Sequence, residues 1–248
     1  MAQIFKPAMN TICTLSLLGG AAVPFLVLFT GSRITRSPYN TKVENPIDQP
    51  APFSHKHHAI ELGIDCRFCH TGVETNAQAG VPATDVCMTC HSQIWTNSPN
   101  LEAVRKSWEV NTPIQWNKVN AVPDFVYFNH SIHIARGINC NTCHGAVNKM
   151  PITWKGEAFR MAWCTDCHAD PSKFMYKDEK KPEETPRQQV FDFYKKLAAG
   201  DPLTPVEQKL AEGLPQEVPD DENHKGVALM KERGVDVAQL KDCYVCHH

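Results

Sequence analysis

The chain has 248 residues and a formal net charge of −2, which allows one or two domains. No Lys/Arg-rich run breaks the balance, so neither an electrostatic footprint nor a role in binding nucleic acid is expected. The anomaly is eleven cysteines beside twelve histidines, a composition that means disulfides or metal until the spacing decides between them.

Residues 1–36 read as a membrane anchor. The run from Ala8 to Thr30 is apolar apart from a few Asn, Thr and Ser, and its 23 residues suffice to span a bilayer as one helix. Gly20-Ala21-Ala22 is a poor signal-peptidase site and the apolar run continues past it, so an uncleaved signal anchor is expected. Cys13, inside this run, reads as a small buried apolar side chain. Lys6 lies before the run and Arg33 and Arg36 just after it, where they are expected to meet lipid headgroups or a partner subunit. Residues 37–52 follow as a proline-punctuated linker.

Residues 53–127 and 128–170 read as two copies of one unit. Each copy opens with Phe-x-His-x-x-His: Phe53, His55 and His58 in the first, Phe128, His130 and His133 in the second. Two Cys-x-x-Cys-His motifs follow in each. The first copy has Cys66, Cys69, His70 and Cys87, Cys90, His91; the second has Cys140, Cys143, His144 and Cys164, Cys167, His168. Corresponding motifs are offset by 74 and 77 residues. Residues 171–248 are rich in proline and charge and end in a fifth motif, Cys243, Cys246 and His247. Within this stretch Arg187 to Leu197 suggests a short amphipathic helix, and Thr204-Pro205 an N-cap with Pro at the first helical position. So long a connection is expected to wrap a partner or the surface of the domain, or to be a solvated tail.

Cys-x-x-Cys-His is the spacing of covalent haem attachment. The two thiols form thioethers with the two vinyl groups of one porphyrin, and the following histidine binds the iron from below. Zinc knuckles and disulfides give no reason for a histidine after every second cysteine in five copies out of five. Five covalently bound haem c groups are therefore expected. Seven histidines remain as sixth ligands. His55, His58, His130 and His133 stand at i and i+3, where two rings on one turn can serve two irons. His224, alone upstream of the last motif, would be the fifth, while His57 and His248 are left out. Met88, Met150, Met161, Met175 and Met230 are the alternative axial ligands, Met150 and Met161 near the fourth motif first among them. With both faces of every iron filled, no catalytic residue is expected and the haems serve as relays. A mainly α and irregular fold with little or no sheet follows from so many motifs in roughly 200 residues, with Trp95, Trp108, Trp116, Trp154 and Trp163 packed on porphyrins.

The Phe-x-His-x-x-His turn before Cys-x-x-Cys-His resembles the class III multihaem cytochromes. The whole layout of anchor, two di-haem units and a fifth haem near the end is similar to the pentahaem cytochrome subunits of alternative complex III, a bacterial quinol oxidoreductase. That resemblance implies a non-catalytic electron-transfer subunit of a quinol:electron-acceptor oxidoreductase. Electrons would come from quinol oxidation at polytopic subunits, through an iron–sulfur subunit, and leave for a monohaem cytochrome or another periplasmic acceptor. The chain would be single-pass in the bacterial inner membrane, its haem domain on the periplasmic side where haem is attached. Two alternatives stand beside it: a free-standing membrane quinol dehydrogenase of the short multihaem family, and a multihaem reductase with an open haem site. Against the latter, no Cys-x-x-Cys-Lys variant occurs.

Overall fold

The computed structural model describes residues 6–177, 181–213 and 220–248, the side chains of 220–224 excepted. The chain divides into two compact units, residues 1–43 and 44–248. Among the described residues there are helices and turns but no strand, and an isolated bridge joins Pro46 to Trp154.

The first unit is dominated by one helix, α1 (Ala8–Thr35), long and apolar enough to cross a membrane. It runs five residues beyond the apolar stretch read from the sequence. At about 1.5 Å per residue its length exceeds the ~30 Å hydrocarbon layer. Its few hydroxyls turn inward on the backbone: Thr14 donates to the Asn10 carbonyl at 2.9 Å and Thr30 to that of Leu26 at 2.7 Å. A polar group bonded to its own helix is tolerated in lipid, where no water could satisfy it. Cys13 is exposed on this helix rather than buried, as are the apolar side chains around it.

In the second unit the longer helices are α2 (Thr84–His91), α3 (Glu102–Val110), α4 (Met161–Ala169), α5 (Pro186–Ala199), α6 (Pro205–Glu212) and α7 (Asp220–Glu232). Helices α5 and α6 each begin with Pro at the first turn and a complete capping box, Thr185 with Gln188 and Thr204 with Glu207. Within the proline-rich stretch, α5 and α6 pack inward rather than wrapping the outside as its length suggested. Val190, Phe191, Phe193 and Tyr194 of α5 and Val206, Leu210 and Ala211 of α6 form the hydrophobic core, together with Val73 and Ile134 from the two motif-bearing regions. The short motif turns bury too little apolar surface to hold each other, so this later segment supplies the core that joins them. Helix α7 packs on Pro171–Phe174 so closely that a Cβ at Gly226 would stand 2.2 Å from the Ser172 carbonyl oxygen.

The two histidine-bearing turns dock reciprocally. The Lys56 amide donates to the Met150 carbonyl at 3.1 Å, and the Ser131 amide donates to the Asn76 carbonyl at 3.3 Å. Lys56 and Ser131 hold matching places after His55 and His130, while Asn76 and Met150 hold matching places after His70 and His144. Each turn is thus fixed to the loop behind the other copy's first motif, the pattern of an isologous, two-fold contact built within one chain.

Candidate haem-binding sites

Each Cys-x-x-Cys-His motif is a single helical turn or the end of a short helix, which places both thiols and the imidazole on one side of the backbone. Three of the five begin at an Asx cap. Asp65 accepts from the Arg67 amide, Asn139 from that of Asn141 and Asp242 from that of Tyr244. The other two motifs end α2 and α4. The spacer residues tie the motifs to the core. The Arg67 guanidinium lies 4.2 Å from the centre of the Phe191 ring and pairs with Asp65 at 2.6 Å. Asn141, fully buried, donates from its side chain to Leu210 O at 2.9 Å and to Asn148 at 3.0 Å. The Tyr194 hydroxyl donates to Asn139 Oδ1 at 2.5 Å and accepts from the Asn141 amide at 3.1 Å.

The histidines meet in pairs. His55 faces His70 with ring centroids 6.5 Å apart and planes 5° from parallel. His130 faces His144 at 6.2 Å and 5°, the repeat of the same arrangement. His133 faces His168 at 6.2 Å and 26°. His58 faces His91 at 6.3 Å with the rings turned by 65°. Two imidazole nitrogens, each about 2 Å from one ion between them, put the ring centres roughly 6 Å apart. The pairs therefore fit a porphyrin iron held on both faces. Among the described residues no three His, Cys, Asp or Glu side chains converge on one point, the arrangement a tetrahedral zinc cage needs.

One nitrogen of nearly every ring is already committed. Nδ1 of His70 donates to Gly80 O at 2.7 Å, that of His58 to Ser54 O at 2.8 Å, that of His130 to Ala77 O at 2.8 Å and that of His133 to Asn129 O at 2.7 Å. His91, His168 and His247 bond Ile94, Leu240 and Phe125 carbonyls in the same way, and His55 Nδ1 meets Thr153 Oγ1 at 3.0 Å. A carbonyl partner fixes the proton on Nδ1 and leaves Nε2 with the lone pair a metal needs. His57 differs: its Nδ1 meets the Glu61 carboxylate at 2.8 Å and its ring stacks on Trp95, which separates it from the ligand candidates beside it.

A phenylalanine sets the two rings of each histidine turn. Phe53 stacks on His58 at 4.4 Å and meets His55 edge-on at 4.9 Å; Phe128 does the same to His133 and His130 at 4.6 Å and 4.8 Å. This is the physical content of the Phe-x-His-x-x-His pattern. Desolvation, with the neighbouring imidazoles, lowers the pKa of His55 and of His144 to about 4, so both rings are neutral, the form that ligates. Desolvation also raises the thiols of Cys66, Cys69, Cys87, Cys140, Cys143 and Cys164, and that of Cys167 to about 11.

His247 has Phe125 against its ring at 5.8 Å. His224 falls on α7, but its side chain lies outside the described residues. His248, set aside in the sequence, stacks on Tyr127 at 4.5 Å. Met150 is buried in packing and Met161 is 73% exposed. Trp163 meets Phe159 edge-on, and Phe159 in turn meets His144.

Residues 126–186, which contain the second histidine turn and motifs three and four, match the family described as cytochrome c7 and related cytochrome c. With the motifs and the paired imidazoles, this supports a multihaem cytochrome c that binds haem c covalently and transfers electrons. Over 173 residues the chain is 28% identical to the menaquinone reductase multihaem cytochrome c subunit of Nitratidesulfovibrio vulgaris (strain Hildenborough), covering 61% of this chain and 82% of that protein.

Proposed function

We propose that this chain is the electron-conducting subunit of a quinone-linked membrane respiratory complex and holds five haem c groups. Cys66 and Cys69, Cys87 and Cys90, Cys140 and Cys143, Cys164 and Cys167, and Cys243 and Cys246 would supply the thioethers. The axial pairs would be His70 with His55, His91 with His58, His144 with His130, His168 with His133, and His247 with His224. Bound haem iron supplies a reversible one-electron centre. The observation that supports conduction over catalysis is the four facing imidazole pairs, which leave no open coordination position at those sites. The chain's own residues hold the rings: carbonyls fix Nδ1, and Phe53 and Phe128 fix the ring planes. Helix α1 would anchor the chain in lipid, with the second unit on the periplasmic side.

On this reading the complex is of the alternative complex III type. Electrons arrive from quinol oxidised at polytopic subunits, by way of an iron–sulfur subunit, and leave to a monohaem or other periplasmic cytochrome. The relative from N. vulgaris favours a second reading in which the current runs the other way, since that protein is named for reducing menaquinone. One experiment separates them. The chain is tagged, purified in detergent with its native partners, and mixed with menaquinol or menaquinone while the haem α-band is followed. Haem reduction by menaquinol, with an iron–sulfur and a polytopic subunit co-purifying, supports quinol oxidation. Reoxidation of reduced haem by menaquinone supports the second reading. A chain that purifies alone and reacts with neither is outside both.

A further inference from the structure

The order of the motifs along the sequence is not their order in space. We infer that the sites, numbered along the chain, stand in the row two, one, three, four, five, with motif three at the centre and the Cys87–His91 and Cys243–His247 motifs at the two ends. This rests on the reading of the five motifs as haem sites.

Four joints make the row. Sites two and one share a turn, because His58 and His55 are one helical step apart and wedged by the same Phe53 ring. Sites three and four share the equivalent turn through His130, His133 and Phe128. Sites one and three are joined by the reciprocal docking. His130 is held by Ala77, in the loop behind His70, through both its amide at 3.0 Å and its Nδ1 at 2.8 Å. His55 is held by Thr153, in the loop behind His144. Cys66 and Cys140 both pack against the one core that α5 and α6 form. Sites four and five are joined by the end of the chain. The proximal His168 bonds Leu240 O at 3.2 Å, three residues before Cys243, and the helix Val237–Leu240 packs on α4. Site five is then fastened to residues 125–127, which lead into the second histidine turn, by His247 to Phe125 O at 2.9 Å and Tyr127 N–H to Cys246 O at 2.9 Å.

A further observation follows the same row. Of the ten motif cysteines only Cys90 and Cys243 are exposed, and they belong to the two end sites. Exchange with outside redox partners therefore falls at sites two and five, and site three is the interior of the row: its spacer residues Asn141 and Thr142 are buried.

The test is a cryo-electron-microscopy map of the haem-loaded protein in its native complex, read for iron positions and axial ligands. The row predicts that the iron of site one has those of sites two and three as its neighbours, and that the nearest neighbour of site five is site four. A site two closer to three, four or five than to one overturns the order. Axial ligands other than the histidine pairs would instead overturn the ligand reading and leave the order to be judged on the irons. As a second measurement, C243A with C246A removes site five. In a potentiometric titration followed by electron paramagnetic resonance, the shift among the remaining four should fall on site four. A shift on site one or site two would contradict the row.

Discussion

His130 and His144 stand fourteen residues apart in the chain, yet their imidazole planes are 5° from parallel and 6.2 Å apart. His130 is not part of any attachment motif, so removing it should spare the covalent link and change only the ligation. In H130A the pyridine haemochrome assay should still count five haems, and one of them should turn high-spin in the oxidised protein. An unchanged low-spin spectrum would remove His130 from the ligand set. H224A applies the same test to the fifth site.

Tyr194 is the polar hub that ties α5 to motif three. In Y194F the hydroxyl is lost and buried Asn139 and Asn141 are left with fewer partners. Leaving buried polar groups unsatisfied costs about 1–3 kcal/mol, read as a lower thermal midpoint of the haem-loaded protein. F193A, deep in the same core, should cost more, about 3–5 kcal/mol. If Y194F were as stable as the parent, the hub would be dispensable.

Gly156 lies against the backbone of His144, the proposed proximal ligand of site three. A Cβ there would come within 2.5 Å of the His144 carbonyl carbon and 2.6 Å of the Gly145 nitrogen, both main-chain atoms that cannot rotate away. G156A should therefore displace His144 and disturb site three first, seen as a new spin state or potential at one haem. G200A, at a position with nothing within 4 Å of a Cβ but a φ of +72°, should cost stability without touching a haem signal.

Acid should loosen the joint between α5 and α6. Glu207 is almost wholly buried, and burial pushes its carboxyl upward. Lys196 Nζ at 2.8 Å, the Thr204 amide at 2.8 Å and the Tyr176 hydroxyl at 2.9 Å outweigh this, and the net shift is downward. A carboxyl whose folded pKa is below its unfolded value stabilises the fold at pH above the unfolded value. That contribution fades as pH falls below about 4.3 and through the lower folded value. E207Q should be less stable at neutral pH and show a flatter loss of stability in that acid window. A profile parallel to the parent's would mean that Glu207 does not contribute.

The motifs proposed to hold haem were legible because covalent attachment demands fixed local spacing. Each thiol pair and its histidine sit within five residues, so no fold is needed to see them. The Phe-x-His-x-x-His turns were legible for the same reason, and the structure adds which ring meets which. The role of residues 181–212 was not legible. Their charge and prolines suggested a surface wrap, and the apolar positions of α5 and α6 become a core only when Val73 and Ile134 arrive from distant parts of the chain. The Asx caps at Asp65, Asn139 and Asp242 stood directly before their motifs and could have been read from the sequence as helix starts. Tyr194, Thr153 and Ala77 carry no local signal, because each acts on a residue more than fifty positions away.

On the proposed ligation every iron is closed on both faces by imidazole. Low-temperature electron paramagnetic resonance of the oxidised, intact protein tests it most directly. Low-spin ferric signals that integrate to five haems per chain are expected. A high-spin ferric signal amounting to one haem or more would contradict it.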